Sequence, residues 1–363
     1  MLKNTPPQHT VKQRYIGLDF IRISLAFFIF CFHSRVHLGC NYGLMNDFFD
    51  TATLAMSGFF MLSGYSLYVA YPIKSLLETV NLRNFYTKRF ISIYPLYIVV
   101  GLLSVLMYIV AGMQTITDNL LLLPIELLGI QSVFDKSLFA YAHNSGTWFI
   151  SCIIICYFVF PFFKELVSRM KIKGVTLTAI IIIILLSYIH ILPNRFECGD
   201  LYTNAFLRVT EFALGMLIAK INTGSETEKK WMMIIRSTPI WIIASVVMIV
   251  GVSLCNHFGV RGDLLTYFCL AIIFIGLGSI KPENTEKEWK VLLYASSIAY
   301  AFYLSQVFVW NPTKLLLRYT GELGNLTLIG GTFAACVIVS IILHMIVEEK
   351  VGGYLKEKLI YTR

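Results

Sequence analysis

RYIGLDFIRISLAFFIFCFHSR, Arg14 to Arg35, is mostly apolar, yet it holds Asp19, Arg22 and His33. About 20 apolar residues cross a bilayer as a helix, so the stretch reads as a membrane span. A charge near the bilayer centre costs at least ~2.5–3.5 kcal/mol on insertion scales. Something must offset that cost. Asp19 and Arg22 are three residues apart and can neutralise each other on a helix. An interfacial ion pair with a snorkelling Arg is one reading of them. Arg22 and His33 are eleven apart, which is about 1100° of helix rotation, within ~20° of the same face, and ~16 Å along the axis. They line one wall, three turns apart. A lone His in a span serves packing or hydrogen bonding as readily as chemistry. A His aligned with an Arg reads as a site at the end of a channel. Imidazole titrates near neutral pH and can take and return a proton there.

Composition extends the membrane reading to the whole chain. Of 363 residues, 57% are hydrophobic and 14% charged, against roughly 25% charged in soluble domains. Ten segments have the length and apolarity of spans: about 16–38, 51–71, 90–112, 147–168, 174–192, 203–221, 237–255, 264–281, 291–312 and 324–347. The expected fold class is all-α, a polytopic membrane bundle of about ten transmembrane helices around a polar cavity. A further apolar segment, 119–131, is too short to cross and holds Pro124 and Glu126. It reads as interfacial or re-entrant. Residues 1–14 are polar and basic, without a short apolar core, so the first run reads as a retained span.

Charge sets the expected orientation. Alternate loops and both tails hold 22 of the 30 Lys and Arg residues, and the opposite loops hold six. The positive-inside rule then places both termini in the cytoplasm. The net charge of +9 follows from that asymmetry, which suits an anionic lipid bilayer and calls for no nucleic acid. The eight cysteines show no metal-ligand spacing, so no metal site is expected. Cys40, Cys198 and Cys255 fall near the outer face, where a disulfide stays open as a possibility.

Other polar groups sit inside apolar segments. FFMLSGYSL (59–67) puts Ser63 and Gly64 in the second span, to admit either a neighbouring helix or a ligand. FYTKRFISIYP (85–95) puts Lys88 and Arg89 at the mouth of the third, as topology anchors or as cations for phosphate. Arg208 and Glu211 form a second intramembrane pair at three-residue spacing, structural or functional. Trp148 opens the fourth span and reads as an interfacial belt residue. Gln306 reads as an interhelical hydrogen-bonder. His37 reads as an outer-rim residue. His190 and His344 lie at span ends without an evident partner.

Taken together these motifs resemble the membrane-bound acyltransferase 3 family, the O-acetyltransferases of bacterial surface polysaccharides. The resemblance runs from Tyr15 to about Trp310 and on into a final helix. Asp19, Arg22 and His33 match its first-helix pattern, an Arg, ten residues, then a His. FFMLSGYSL and FYTKRFISIYP match its second and third motifs, Trp148, Ser151, Tyr157 and Pro161 a fourth, Arg208, Glu211, Phe212 and Gly215 a fifth, and SIAYAFYLSQ a sixth. Three positions depart from the pattern. Ser92 stands where a further Arg is common, Ile153 where an acidic residue is expected, and Gln306 where a late His is expected.

The resemblance implies an acyltransferase with an N-terminal cytoplasmic tail (1–14), a transmembrane domain (15–349) and a C-terminal cytoplasmic tail (350–363). It implies the inner membrane as location, acetyl-CoA as co-substrate with no bound cofactor, and a glycan or lipid-linked glycan as acceptor. Arg22, Asp19, Lys88, Arg89, Ser63 and Gly64 would bind the donor. His33 would be catalytic, as general base or as covalent acyl carrier, with Glu211 the candidate to orient it. Trp148, Arg208 and Gln306 would serve the acceptor or the scaffold. A glycan or lipid transporter or flippase is the rival reading, because it too would bury charges, though without need of a His aligned with an Arg. A glycan polymerase is a weaker rival, since the longest loop here, 113–146, is modest.

Overall fold

The computed structural model describes residues 14–51, 53–72, 76–110, 116–133, 146–189, 202–224, 230–280, 289–321 and 323–361. His190 and Cys198 lie outside these. The described residues are helical throughout, with no strand. In chain order the helices are α1 (Ile16–Leu38), α2 (Asn46–Phe49), α3 (Thr53–Ala70), α4 (Thr79–Val110), α5 (Ile116–Leu128), α6 (Thr147–Arg169) and α7 (Ile172–Tyr188). They continue with α8 (Ala205–Thr223), α9 (Lys230–Arg236), α10 (Thr238–His257), α11 (Asp263–Leu277), α12 (Lys290–Thr320) and α13 (Asn325–Leu343). Wider, π-type turns carry the last helix on to Tyr361.

Each of the ten expected segments is helical, but fewer qualify as spans by length and composition. Six helices do, or seven if Gly43–Phe49 and Leu54–Ala70, bent by 57°, form one broken span. The shortfall has a physical cause. α7 and α11 are 17 and 15 residues long, short of the ~20 that a straight crossing needs. α8 holds Arg208, Glu211 and Lys220 within 19 residues. The segment expected to be too short to cross is α5, and Tyr94 and Tyr97 of α4 donate to the carbonyls of Leu127 and Glu126 at its end.

α1 ends where Gly39 takes a left-handed turn at φ 69° and returns its N–H to the Arg35 carbonyl. Glycine adopts that conformation without steric cost. Arg35 lies in the last turn, where a cation suits the negative end of the helix dipole. Beyond it Cys40 is buried, which pushes its thiol above the ordinary range. Cys40 and Cys255 are both free, so the disulfide left open for the outer face does not join them.

The bundle is held most closely between α3 and α8. A Cβ built on Gly64 would fall 1.9 Å from the Phe212 carbonyl oxygen, and one on Gly215 2.0 Å from that of Met61. Two backbones that approach so closely need residues without side chains. Gly64, expected to bind donor, is placed at this helix contact.

Beside this contact sits the second intramembrane pair. Arg208 Nη1 donates to both carboxylate oxygens of Glu211, at 2.9 and 2.8 Å. Its Nε and Nη2 donate to the Tyr202 carbonyl at 3.0 and 2.7 Å. Glu211 Oε1 also accepts from Ser57 and Tyr267, each at 2.7 Å. The rings of Phe60, Trp148 and Tyr202 surround the guanidinium at 5.3–5.5 Å. Trp148 is 2% exposed, so it is an inner wall of this cage and not a lipid-facing belt residue.

Two stability predictions follow. Gly64→Ala should reduce the yield of folded protein, because backbone and not a flexible side chain blocks the new methyl. Glu211→Ala leaves the Arg208 cation buried and should destabilise by about 3–5 kcal/mol. Thermal unfolding in detergent, followed by size-exclusion chromatography, measures both; wild-type midpoints would contradict the packing described.

Candidate functional site

α1 and α12 run side by side and meet through polar groups at two levels. At the first, Asp19 is buried and gathers three donors. Arg14 Nε and Arg22 Nη1 each donate to it at 2.9 Å, and Ser296 Oγ donates at 2.5 Å. Arg22 Nη1 also reaches Ser296 Oγ at 2.6 Å. Among the described residues, Arg22 Nε and Nη2 have no hydrogen-bond partner, and the side chain keeps 33% of its surface exposed. Asp19 thus fixes Arg22, and Arg22 presents the rest of its guanidinium to open space.

That space is a cavity of about 410 Å³. Arg22, Arg89, Ser63, Ser66, Ser92, Tyr157 and Glu348 are among its walls. Met56, Phe59, Leu62, Ile150 and Ile153 supply apolar wall. The cavity is therefore mixed in character, with two guanidinium groups, several hydroxyls and the Glu348 carboxylate set among apolar side chains. Two buried polar atoms of its lining residues have no partner, Arg89 Nε and Ser66 Oγ. Groups left unpaired in a buried site cost about 1–3 kcal/mol each.

The structure separates neighbours that share a motif. Ser63 lines the cavity and Gly64 does not. Arg89 lines it, 5.7 Å from the centre of the Tyr157 ring. Lys88, also expected to bind donor, is exposed and outside its walls. Adjacent helical residues point ~100° apart, so one of the pair faces in and the other out. Two departures from the family pattern, Ser92 and Ile153, fall in the cavity wall. Glu348, which sequence reading passed over, lines it as well and pairs with His344 at 2.7 Å. Their four-residue spacing was the available signal.

At the second level, His33 Nδ1 lies 2.6 Å from Gln306 Oε1. An amide oxygen accepts only, so Nδ1 carries the proton and Nε2 keeps its lone pair. The side-chain hydrogen-bond partner of His33 is Gln306, while the carboxylate of Glu211, the expected orienting group, is engaged by Arg208. His33 is half-buried and is not itself a wall of the cavity. The cavity includes Tyr303 and Phe149, whose rings meet edge to face at 5.6 Å. Tyr303 lies three residues, one helical turn, before Gln306. Beyond His33 the His37 ring stands at 5.6 Å, and Lys314 Nζ reaches His37 Nδ1 at 3.1 Å. Among the described residues, no group of three or more His, Cys, Asp or Glu side chains could hold a metal ion.

These contacts separate Arg89 from Lys88 in function. Arg89→Ala should weaken binding of acetyl-CoA, the expected donor, at least about tenfold, the loss of one charge-assisted contact. Lys88→Ala should bind as wild type. Calorimetry on purified protein distinguishes them, and equal losses in the two variants would contradict the assignment.

A family profile described as an acyltransferase domain, acyltransferase 3, matches residues 15–345. A curated relative, "Acyltransferase MdmB" of Streptomyces mycarofaciens, is 25% identical over 185 residues, 47% of this chain and 46% of the relative. The chain thus matches under half the length of that relative. No solved structure matches. The profile takes in Asp19, Arg22, His33, Arg89, Arg208, Glu211 and Gln306, and the chain belongs to the acyltransferase 3 family.

Proposed function

We propose that the protein is a membrane acyltransferase that moves an acetyl group from cytoplasmic acetyl-CoA to a sugar hydroxyl of a cell-surface or lipid-linked glycan. One observation carries the reading. The cavity holds two guanidinium groups and two unpartnered polar atoms, and it ends one turn short of the residue that orients His33. A CoA head group is a polyanion, and guanidinium–phosphate contacts are strong and directional. The pantetheine arm is uncharged and suits the apolar wall of Met56, Phe59, Leu62 and Ile150. The thioester would then pass Tyr303 and meet His33.

The 22-to-6 charge asymmetry supports an inner-membrane protein with both termini in the cytoplasm. In that orientation the Arg22 and Arg89 end of the cavity faces the donor pool. Ten crossings complete this reading, with α7 and α11 as short helices and α8 as a charged one. With Nδ1–H held by Gln306, the Nε2 lone pair of His33 can deprotonate the sugar hydroxyl as it attacks the thioester carbon. The proton then passes to the departing CoA thiolate. The same lone pair could instead take the acetyl group first and hand it to the acceptor. Glu211, Arg208 and Trp148 act as scaffold in either route.

The test is mass spectrometry of surface glycans from cells with and without the gene, beside cells carrying His33→Gln. Each acetylated site should add one acetyl mass in wild type alone. The rate for His33→Gln, normalised to inserted protein, should fall ~10²–10⁴-fold, with acetyl-CoA still bound. Gene-independent acetylation would favour the transporter reading, and near wild-type transfer by His33→Gln would make the histidine structural. Acetyl-imidazole trapped on His33 after incubation with donor alone would select the covalent route.

A further inference from the structure

A donor arm that fills the cavity from the Arg22 end leaves the acceptor to reach His33 from the opposite end of α1. The charges at that end bear on what the acceptor is. They fall into two kinds. Arg35 donates from Nε and Nη2 to the two carboxylate oxygens of Asp50, at 2.7 and 2.8 Å. Arg261 is held by Asp263 at 2.7 Å. Those two charges are cancelled. Lys314 and Arg318 are four residues apart on α12, and so neighbours on its surface. Among the described residues, neither pairs with a carboxylate.

Lys314 leans on a neutral base instead. Its Nζ lies 3.1 Å from His37 Nδ1. An ammonium only donates, so His37 accepts and carries no charge of its own. The pair therefore keeps one full positive charge, and two of the three ammonium N–H groups have no protein partner among the described residues.

The ordinary reasons for a cation at a helix end do not cover Lys314. Arg318 is in the last turn of α12, where it suits the helix dipole. Lys314 is six residues before the end at Thr320, outside that turn. An interfacial anchor would stretch outward to water. His33 is level with Gln306, which puts His37 level with Trp310 and Lys314 one turn further out. The Lys314 side chain thus runs back towards His37, and both residues are half-buried. The His37 ring stands 5.6 Å from that of His33. The free cation is held two side chains from the histidine assigned to catalysis.

We propose that Lys314, seated on His37, binds an anionic oxygen group of the acceptor, a phosphate or a carboxylate, with Arg318 as a second contact further out. The acceptor is then an acidic glycan or a glycan carried on a lipid phosphate, and not a neutral sugar. Lys314 acts as a positioning residue and takes no part in bond making. The proposal rests on the acyl-transfer reading above and deepens it.

The test follows labelled acetyl from acetyl-CoA into a glycan and glycolipid extract of cells lacking the gene, with purified protein in phospholipid-free detergent. Lys314→Gln should raise the KM for the extract about tenfold, the loss of one charge-assisted contact, with kcat and donor KM unchanged. Arg318→Gln should raise it less, because exposed charges are screened. Lys314→Arg should stay near wild type. An unchanged acceptor KM in Lys314→Gln and in the double variant would overturn the proposal. A fall in kcat alone would also overturn it, by making Lys314 a prop for the histidines. So would a difference that appears only after phosphatidylglycerol is added, since the cations would then hold bilayer headgroups. Amidating the carboxylates of the extract separates the two anions: the difference between Lys314→Gln and wild type vanishes if a carboxylate is bound and persists if a phosphate is. Binding of acetyl-CoA by each variant reports an intact bundle. Absence of transfer by wild type would refute the acyl-transfer reading, whereas transfer with equal acceptor KM values would refute only the anion site.

Discussion

The molecule is organised around the polar contact between α1 and α12. Asp19, Arg22 and His33 cannot sit in an apolar helix unless each finds a partner, because unpaired polar groups are costly where water is excluded. α12 supplies partners at both levels, Ser296 for the ion pair and Gln306 for the imidazole. The spacings agree. Arg22 and His33 are eleven residues apart and Ser296 and Gln306 ten, which correspond to about 16 and 15 Å of helix rise. Two parallel helices can satisfy both levels in one register only. That register also leaves the unused part of the Arg22 guanidinium facing the cavity.

Much of this was legible in the sequence because it is local. The eleven-residue spacing of Arg22 and His33 needs only helix geometry, and the three-residue spacing of Arg208 and Glu211 needs no more. What escaped depends on which way a helix is turned and on what lies across from it. Lys88 and Arg89 are chemically alike and adjacent, and only the rotation of α4 sends one into the cavity. Ser63 and Gly64 divide in the same way, one facing the cavity and one the backbone of α8. The partner of His33 lies 273 residues away, beyond any local pattern. Trp148 has the composition of a belt residue, yet Arg208 lies against its face. The count of spans differs between sequence and structure, ten segments against six or seven qualifying helices, for a different reason. Hydropathy windows merge helix and loop, whereas α7 and α11 stop short of a bilayer's thickness.

The two intramembrane ion pairs differ in what they leave open. Glu211 closes every side of its pair with Arg208, Ser57 and Tyr267, and three aromatic rings cover the guanidinium. Such a pair fixes a helix register and offers a ligand nothing. Asp19 takes one edge of Arg22 and leaves the other free. Arg89 and Ser66 likewise keep buried polar atoms unpaired. The apolar wall between the cations and Tyr303 then fits a molecule charged at one end and neutral along its arm.

The central claim is that Arg22 and Arg89 hold the charged end of the donor while its thioester reaches His33. Electron cryo-microscopy of His33→Gln with acetyl-CoA bound tests this most directly. The account predicts the phosphates against Arg22 and Arg89, the arm along Met56, Phe59 and Leu62, and the thioester past Tyr303 beside residues 33 and 306. Phosphates bound at Lys88 or the last helix, with the cavity empty, would contradict it.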